Sequence, residues 1–475
     1  MPRLRPLLAG TLLALLACLG PAAGAAGGAQ AAGEEVATAA GAFVDSVGVN
    51  LRPADAQAGW AMAERLEEAG IRHVRVPAAG PDDPALAGLR ALAGAGLQLD
   101  LAVEAGTDPA AAVKAAASLG AAVAAFEAPT GGRAAPLRRA ILTNPRLLGV
   151  TVLGRDPGAD HQAVRLELGG RCPGCGAAEL GSGDAAVQVT EVELGAGVPD
   201  AVAARYLPRL LLANAGLAVR TYVEGTGGDT GPGLLGPDGS PTLAYSAVAR
   251  LLALVDDGHR QIAPDRLGFR LAGDTDAVRH RLLEKADGHF WLALWVEKPG
   301  WDPTTGRELA VPGQQVQVVL DTPVAGARAF VPELGTGPER SFTDPPGAGR
   351  SLDRIDLEVT DRVLLLELLP RRADGAAPRA TAPPTDPAPA TPAAQEPQVA
   401  GSSQTAAPTS TAAAAPDATR VAAAGEPAAT ADPASRPPLA FTGSTALSML
   451  VASVLLMGVG WAALFASRRR YHHRH

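Results

Sequence analysis

Six glutamates stand where this chain could do acid–base or nucleophilic chemistry. Glu104, Glu127, Glu167, Glu191, Glu193 and Glu224 each fall near the C-terminal end of a short apolar run that reads as a β-strand. In a barrel of parallel strands, that end is the face on which chemistry occurs. Carboxylates crowded there raise one another's pKa, so an acid role for one of them is physically possible. A solvated acidic rim has the same signature, and Glu191 and Glu193 share a strand face by period two whichever reading holds. No third residue type joins them: the histidines are scattered, and no spacing of His, Cys, Asp or Glu suggests a metal, so neither metal nor cofactor is expected.

The elements that must position these carboxylates are eight short, nearly continuous apolar runs: 46–51, 73–78, 98–105, 122–129, 147–154, 163–169, 186–194 and 218–225. Runs of that kind suit a parallel sheet covered by helices. Helix punctuation falls between them. Asp108-Pro109 reads as N-cap and N1, with Gly120 as the stop; Ser240-Pro241 repeats the opening before Leu243–Val255; Pro199-Asp200 opens a helix that runs through Pro208 to Asn214. Eight such units in one run, lean in helix after the fifth and sixth strands, predict an α/β fold: a (β/α)8 TIM barrel over 42–257. A doubly wound sheet is the rival, but no Gly-rich phosphate loop follows an early strand.

Over 258–370 the apolar period becomes two, with turn residues such as Asp287-Gly288 between runs, which predicts an antiparallel β-sandwich. Alternation puts Trp291 and Trp295 on one face, either to stack on a sugar ring or, the reading we favour, to pack against the barrel. From 371 to 438 Pro, Ala, Thr and Ser dominate without periodicity, predicting a disordered stalk. As polyproline II it would extend to about 200 Å, or ~45 Å as a flexible coil.

In the barrel, Ser46-Val47-Gly48-Val49-Asn50 and Gly70-Ile71-Arg72-His73-Val74-Arg75 resemble the entry into clan-A retaining glycoside hydrolases, family-39-like ones in particular. Gly197-Val198-Pro199, Tyr206 to Leu212, Arg220-Thr221-Tyr222, Asp238-Gly239-Ser240-Pro241, Ala244-Tyr245 and the Leu-Trp at Trp295 continue the likeness, which covers about 43–370. It implies a nucleophile at the end of strand seven and an acid/base at the end of strand four, with carboxyls ~5–5.5 Å apart. Thr190-Glu191 matches the nucleophile strand, making Glu191 the candidate nucleophile. The strand-four signature, usually Glu-Gly-Pro-Asn-Glu, reads Glu127-Ala128-Pro129-Thr130-Gly131 here. The acid position is therefore lost to Gly131. Glu127, four residues earlier, is expected over ~10 Å deeper in the barrel at about 3.3 Å per residue. Val76-Pro77 also replaces a commonly acidic position on strand two.

Signals at the two ends of the chain lead us to expect everything before Arg436 outside the cell. Arg3 and Arg5, the apolar run Leu7 to Leu19 and the small residues Pro21 to Gly28 read as a signal peptide over 1–28. Residues 439–475 carry Leu439-Ala440-Phe441-Thr442-Gly443, an apolar span from about Ala446 to Ala466, and Arg468-Arg469-Arg470. The span is long enough to cross roughly 30 Å of hydrocarbon as one transmembrane helix, with the arginines on the cytoplasmic side. Pentapeptide, span and basic tail resemble the cell-wall sorting signal of Gram-positive bacteria, in the LAxTG form of high-GC actinobacteria. That implies a sortase as partner, cleavage between Thr442 and Gly443, and attachment to peptidoglycan; the other reading is an ordinary membrane anchor. Once Cys18 leaves with the signal peptide, Cys172 and Cys175 remain, and outside the cell a local disulfide is expected of them rather than a metal site.

The net charge of −8 leaves no electrostatic footprint for nucleic acid. The sequence thus predicts a cell-surface, glycoside-hydrolase-like protein, impaired in catalysis by Gly131, that binds or is displayed at wall or environmental glycans. The competing expectation is an active retaining hydrolase with Glu191 as nucleophile and a non-standard acid.

Overall fold

A computed structural model describes residues 33–128, 134–156, 158–169, 171–175, 180, 186–228, 231–258, 260–343 and 352–370. The expected signal peptide, the stalk, the whole sorting segment with its transmembrane span, and Thr130 and Gly131 lie outside the described residues.

Two short strands come first, β1 (Gly33–Val36) and β2 (Thr38–Ala39). The barrel follows: β3 (Val47–Asn50), β4 (His73–Pro77), β5 (Gln98–Ala102), β6 (Val123–Glu127), β7 (Thr151–Gly154), β8 (His161–Glu167), β9 (Val187–Glu193) and β10 (Thr221–Glu224). These eight strands are parallel and close in sequence order, β10 pairing with both β9 and β3. Every expected barrel strand is present, within a few residues of its expected bounds. The barrel is lean where the sequence implied: among the described residues no helix lies between β7 and β8, and only the 3-10 turn Pro173–Cys175 lies between β8 and β9.

The helices show which local signals governed them. Asp108 caps Pro109–Ala116, its carboxylate accepting from the N–H groups of Ala110 and Ala111. That helix stops at Ala116, before the expected Gly120, which at φ 61° instead opens a 3-10 turn. Asp200–Asn214 runs through Pro208 as expected. The start of Leu243–Val255 differs: Thr242, not Ser240, is the N-cap, accepting from Tyr245 N–H at 3.1 Å. Asp200, from the neighbouring helix, takes the N–H groups of Leu243 and Ala244. Ser240 is occupied elsewhere, bonding the Asp238 carboxylate at 2.6 Å.

The remaining strands are β11 (Arg266–Gly273), β12 (Val278–Glu284), β13 (Phe290–Val296), β14 (Trp301–Asp302), β15 (Arg307–Glu308), β16 (Gln314–Val324), β17 (Gly326–Phe330), β18 (Arg340–Thr343), β19 (Leu352–Val359) and β20 (Leu364–Leu369). They form two sheets, ordered β1-β11-β16-β19 and β18-β17-β20-β13-β12-β2, plus the small hairpin β14-β15. The sandwich is therefore built from both sides of the barrel in sequence: β1 pairs antiparallel with β11, and β2 parallel with β12. The two sheets bury their own apolar core, including Leu271, Leu282, Leu294, Val318, Ile355 and Leu366.

Trp291 and Trp295 are 4% and 1% exposed and belong to the core shared with the barrel. Their sequence-level role as a packing face holds, and neither ring is open to a sugar. The junction is also ionic. Arg209, fully buried in the helix after β9, pairs with Glu297 at 2.6 Å and donates to the Lys298 carbonyl at 3.1 Å and the Asp361 carbonyl at 3.3 Å. Trp295 Nε1–H donates to the same Glu297 at 2.6 Å, and Gly300 N–H donates to the Tyr206 hydroxyl at 2.7 Å. The sandwich thus fixes the helix that follows the strand carrying Glu191. Among the described residues no helix is long and apolar enough to cross a membrane, and no group of three or more His, Cys, Asp or Glu could hold a metal ion.

Candidate active site

Strand register decides which side chains reach the barrel interior. Residues paired across neighbouring strands share a face, so the pairs Gly48–Tyr222, Asn50–Glu224, Asn50–Arg75, Asp100–Arg75 and Ala102–Glu127 lie on one side. That side is the interior: Tyr222 O–H donates to Asp100 Oδ2 at 2.7 Å, and Gln188 Nε2 donates to the same oxygen. Asp100, Gln188 and Tyr222 are buried and form a polar floor. Burial pushes the Tyr222 hydroxyl well above its usual range, and the Asp100 charge beside it acts in the same direction. Gly48 has no side chain because the Tyr222 ring fills the space a Cβ would take.

Strand β9 reaches the interior twice, by an irregularity. Val164 pairs with Val189 but Arg165 pairs with Glu191, so Thr190 is an extra residue in the ladder. Gln188 and Glu191 are three apart and would point to opposite faces of a regular strand. The bulge re-aims the strand so that both face inward, and the Thr190 hydroxyl reaches back to the Val164 carbonyl at 3.4 Å.

Above the floor, at the C-terminal strand ends, lies a linked set of charges. Arg75 is ion-paired through Nε with Glu127 and donates from Nη1 to Asn50 Oδ1 at 2.8 Å. Asn50 Nδ2 donates to Glu224 Oε1 at 3.2 Å. Across the mouth, Arg165 is ion-paired with Glu191 and lies 3.7 Å from Glu193. Glu191 keeps only 15% of its side-chain surface. Burial raises its pKa; the charges of Arg165 and then Arg75 oppose that, while Glu193 adds to it by charge and hydrogen bond. Glu224 is raised as well, first by burial and also by the charges of Glu191 and Glu193, against the Asn50 hydrogen bond and the Arg75 charge.

Of the six glutamates singled out by the sequence, Glu127, Glu191, Glu193 and Glu224 come together in this mouth. Glu104 is exposed in the turn after β5, and Glu167 is exposed beside Glu193 in the strand register; neither joins the linked set. Glu127 faces inward at the end of β6, tied to Arg75. Sequence reasoning gave no role to Arg165, Arg75 or Asn50. Asn50 ends the first barrel strand, Arg75 sits in the middle of the second, and Arg165 precedes Glu167 at period two, so polar residues inside otherwise apolar runs were the available signal. Cys172 is buried and disulfide-bonded; its expected pairing with Cys175 rests on a side chain outside the described residues.

No family profile matches the sequence, and no curated protein does. Similar solved structures include a family 39 glycoside hydrolase from the gut symbiont Bacteroides cellulosilyticus WH2, at 13% identity and TM-score 0.47, covering 70% of this chain and 82% of that one. A family 39 enzyme from Xanthomonas axonopodis pv. citri aligns at 14% identity and TM-score 0.42, over 71% and 96%. A family 30 endoxylanase from Clostridium papyrosolvens C71 aligns at 7% identity and TM-score 0.39, over 71% and 98%. The barrel-and-sandwich architecture rests on this chain's own strand pairing.

Proposed function

We propose that this chain is a cell-surface, glycoside-hydrolase-like protein, joined to the wall through its sorting signal, that engages wall or environmental glycans at the barrel mouth and hydrolyses ordinary glycosides poorly. One observation carries the reading. Glu191 is held inward at the end of the seventh barrel strand, while the only described carboxylate on the fourth, Glu127, is occupied by Arg75. A carboxylate in an ion pair has no proton to give. Cleaving an unactivated glycoside needs one, because the leaving oxygen must be protonated as the bond breaks.

The test is turnover of dinitrophenyl glycosides, whose leaving group needs little acid help, against natural oligosaccharides. Turnover of the first that disappears in Glu191→Gln, with little of the second, is the expected result. Rapid, Glu191-dependent cleavage of oligosaccharides would overturn impairment. Attachment is tested separately: mass spectrometry of wall-released protein should find peptides ending at Thr442, and recovery of the intact apolar span from the wall would refute it.

A second reading, an active retaining hydrolase with a non-standard acid, is favoured by the partner set of Glu224. It accepts from a neutral amide rather than pairing with a guanidinium.

A further inference from the structure

We propose that Glu224 is the proton donor of this site, giving from the eighth barrel strand the proton that the fourth does not. The inference rests on the reading of Glu191 as nucleophile and specifies how turnover proceeds through it.

The argument is one of partners. Glu127 is ion-paired with Arg75, and Glu191 and Glu193 flank Arg165. The described hydrogen bond to the Glu224 carboxyl comes from Asn50 Nδ2, a neutral donor that engages one oxygen, Oε1. The groups whose charge reaches Glu224 are Arg75 on β4 and Glu191 and Glu193 on β9; on its β3 side it meets Asn50. The two carboxylates of β9 disfavour a third negative charge among them, and burial acts in the same direction. Its placement follows the backbone. Strand β10 is hydrogen-bonded to β9, Glu224 is its last residue, and register turns it to the interior with Asn50. Asn50 is in turn held by Arg75, so the Glu224 carboxyl is oriented through a fixed chain of side chains.

The step balances as follows. A Glu191 carboxylate oxygen bonds to the anomeric carbon as the bond from that carbon to the leaving oxygen breaks. The Glu224 proton passes to the leaving oxygen, giving a free alcohol, a glycosyl ester on Glu191 and a Glu224 carboxylate. Water then attacks the anomeric carbon, its proton returns to Glu224, and Glu191 leaves as carboxylate. The sum is glycoside plus water to sugar plus alcohol.

The experiment compares wild type, Glu224→Gln, Glu224→Asp and Glu191→Gln in the full chain on paired phenyl and dinitrophenyl glycosides across pH, with and without azide. Glu224→Gln should slow phenyl glycosides by about tenfold, short of the ~10²–10⁴-fold of a fully positioned acid and in keeping with slow wild-type turnover, abolish the alkaline limb of the pH profile, and leave the initial release of dinitrophenol within a few-fold of wild type. Azide, entering where the uncharged Gln no longer repels an anion, should speed Glu224→Gln and yield a glycosyl azide of retained configuration. Glu224→Asp should recover part of the rate. Equal phenyl-glycoside rates and unchanged pH profiles in wild type and Glu224→Gln would overturn the assignment while leaving Glu191 standing. Dinitrophenol release that survives Glu191→Gln would overturn the nucleophile reading instead. No release in any variant would overturn both.

Discussion

Arg165 and Glu191 face each other across neighbouring barrel strands and form an ion pair, because the extra residue Thr190 brings them into register. The pair works against burial, which raises the Glu191 pKa. Replacing Arg165 by Met leaves burial and the Glu193 charge opposed only by Arg75. The Glu191 midpoint should therefore move further up, as read by NMR titration of the carboxyl carbons with Glu191→Gln for assignment. An unchanged midpoint would mean that Arg165 spends its time in solvent.

Glu224 ties site chemistry to stability. Its pKa in the folded chain is raised, so the folded state binds this proton more tightly than the unfolded state does. Its contribution to stability is fully present below the ordinary carboxylate range and is lost as pH rises through the folded value. Glu224→Gln removes the buried charge without removing much volume. The variant should melt above wild type at neutral pH, and the difference should shrink as the buffer is acidified. A variant that melts lower at every pH would show the Asn50 bond outweighing the cost of the charge.

The barrel strands and most of the sandwich were legible because each strand buries a short apolar run, and both periodicities survive in the sequence. What was not legible came from long-range relations. Nothing in Gly33–Val36 or Thr38–Ala39 says that their partners, β11 and β12, lie more than two hundred residues on. Thr242 displaces Ser240 as a cap because Asp200 of another helix supplies the neighbouring acceptors. Within the site, the glutamates were visible as strand-end carboxylates. Which of them meet was decided by register and by two irregularities, one in the pairing of β6 with β5 and one in that of β9 with β8, and the arginines that distinguish them were invisible to a search for acids.

Arg209 offers a test of the barrel–sandwich junction. It is fully buried and its guanidinium holds Glu297, itself 5% exposed. Arg209→Met strands that carboxylate in the interface, which typically costs about 3–5 kcal/mol. Urea unfolding should show a loss of that order. Adding Glu297→Gln should return part of it, because the stranded group is then neutral and still accepts from Trp295 Nε1–H. Equal losses in the single and double variants would show that lost packing, rather than an unpaired charge, sets the cost.

Cys172 is disulfide-bonded, and of the two other cysteines in the sequence Cys175 lies three residues on, whereas Cys18 falls in the expected signal peptide. We predict that the two are paired in the exported protein. Thiol labelling of the denatured, unreduced ectodomain should be near zero, and two labelled thiols per chain would count against the pairing.

The last prediction sets the two possible acids against each other. By the sequence motif, Gly131 is expected to take the place of the strand-four acid, and Glu224 is the donor proposed on strand eight. If Glu224 serves a mouth that lacks a strand-four acid, then Gly131→Glu with Thr130→Asn should raise phenyl-glycoside turnover, by up to the ~10²–10⁴-fold that a positioned acid contributes. More telling is the combination with Glu224→Gln. Alone, Glu224→Gln should lower the slow wild-type activity; in the Gly131→Glu background it should cost little, since the proton then comes from across the barrel. The Glu191→Gln control should be inactive in both backgrounds, because both acids serve the same nucleophile. Additive losses, with Glu224→Gln as damaging in the Gly131→Glu background as in wild type, would mean that Glu224 positions the site rather than donating the proton. That outcome would return the acid to a group outside this mouth.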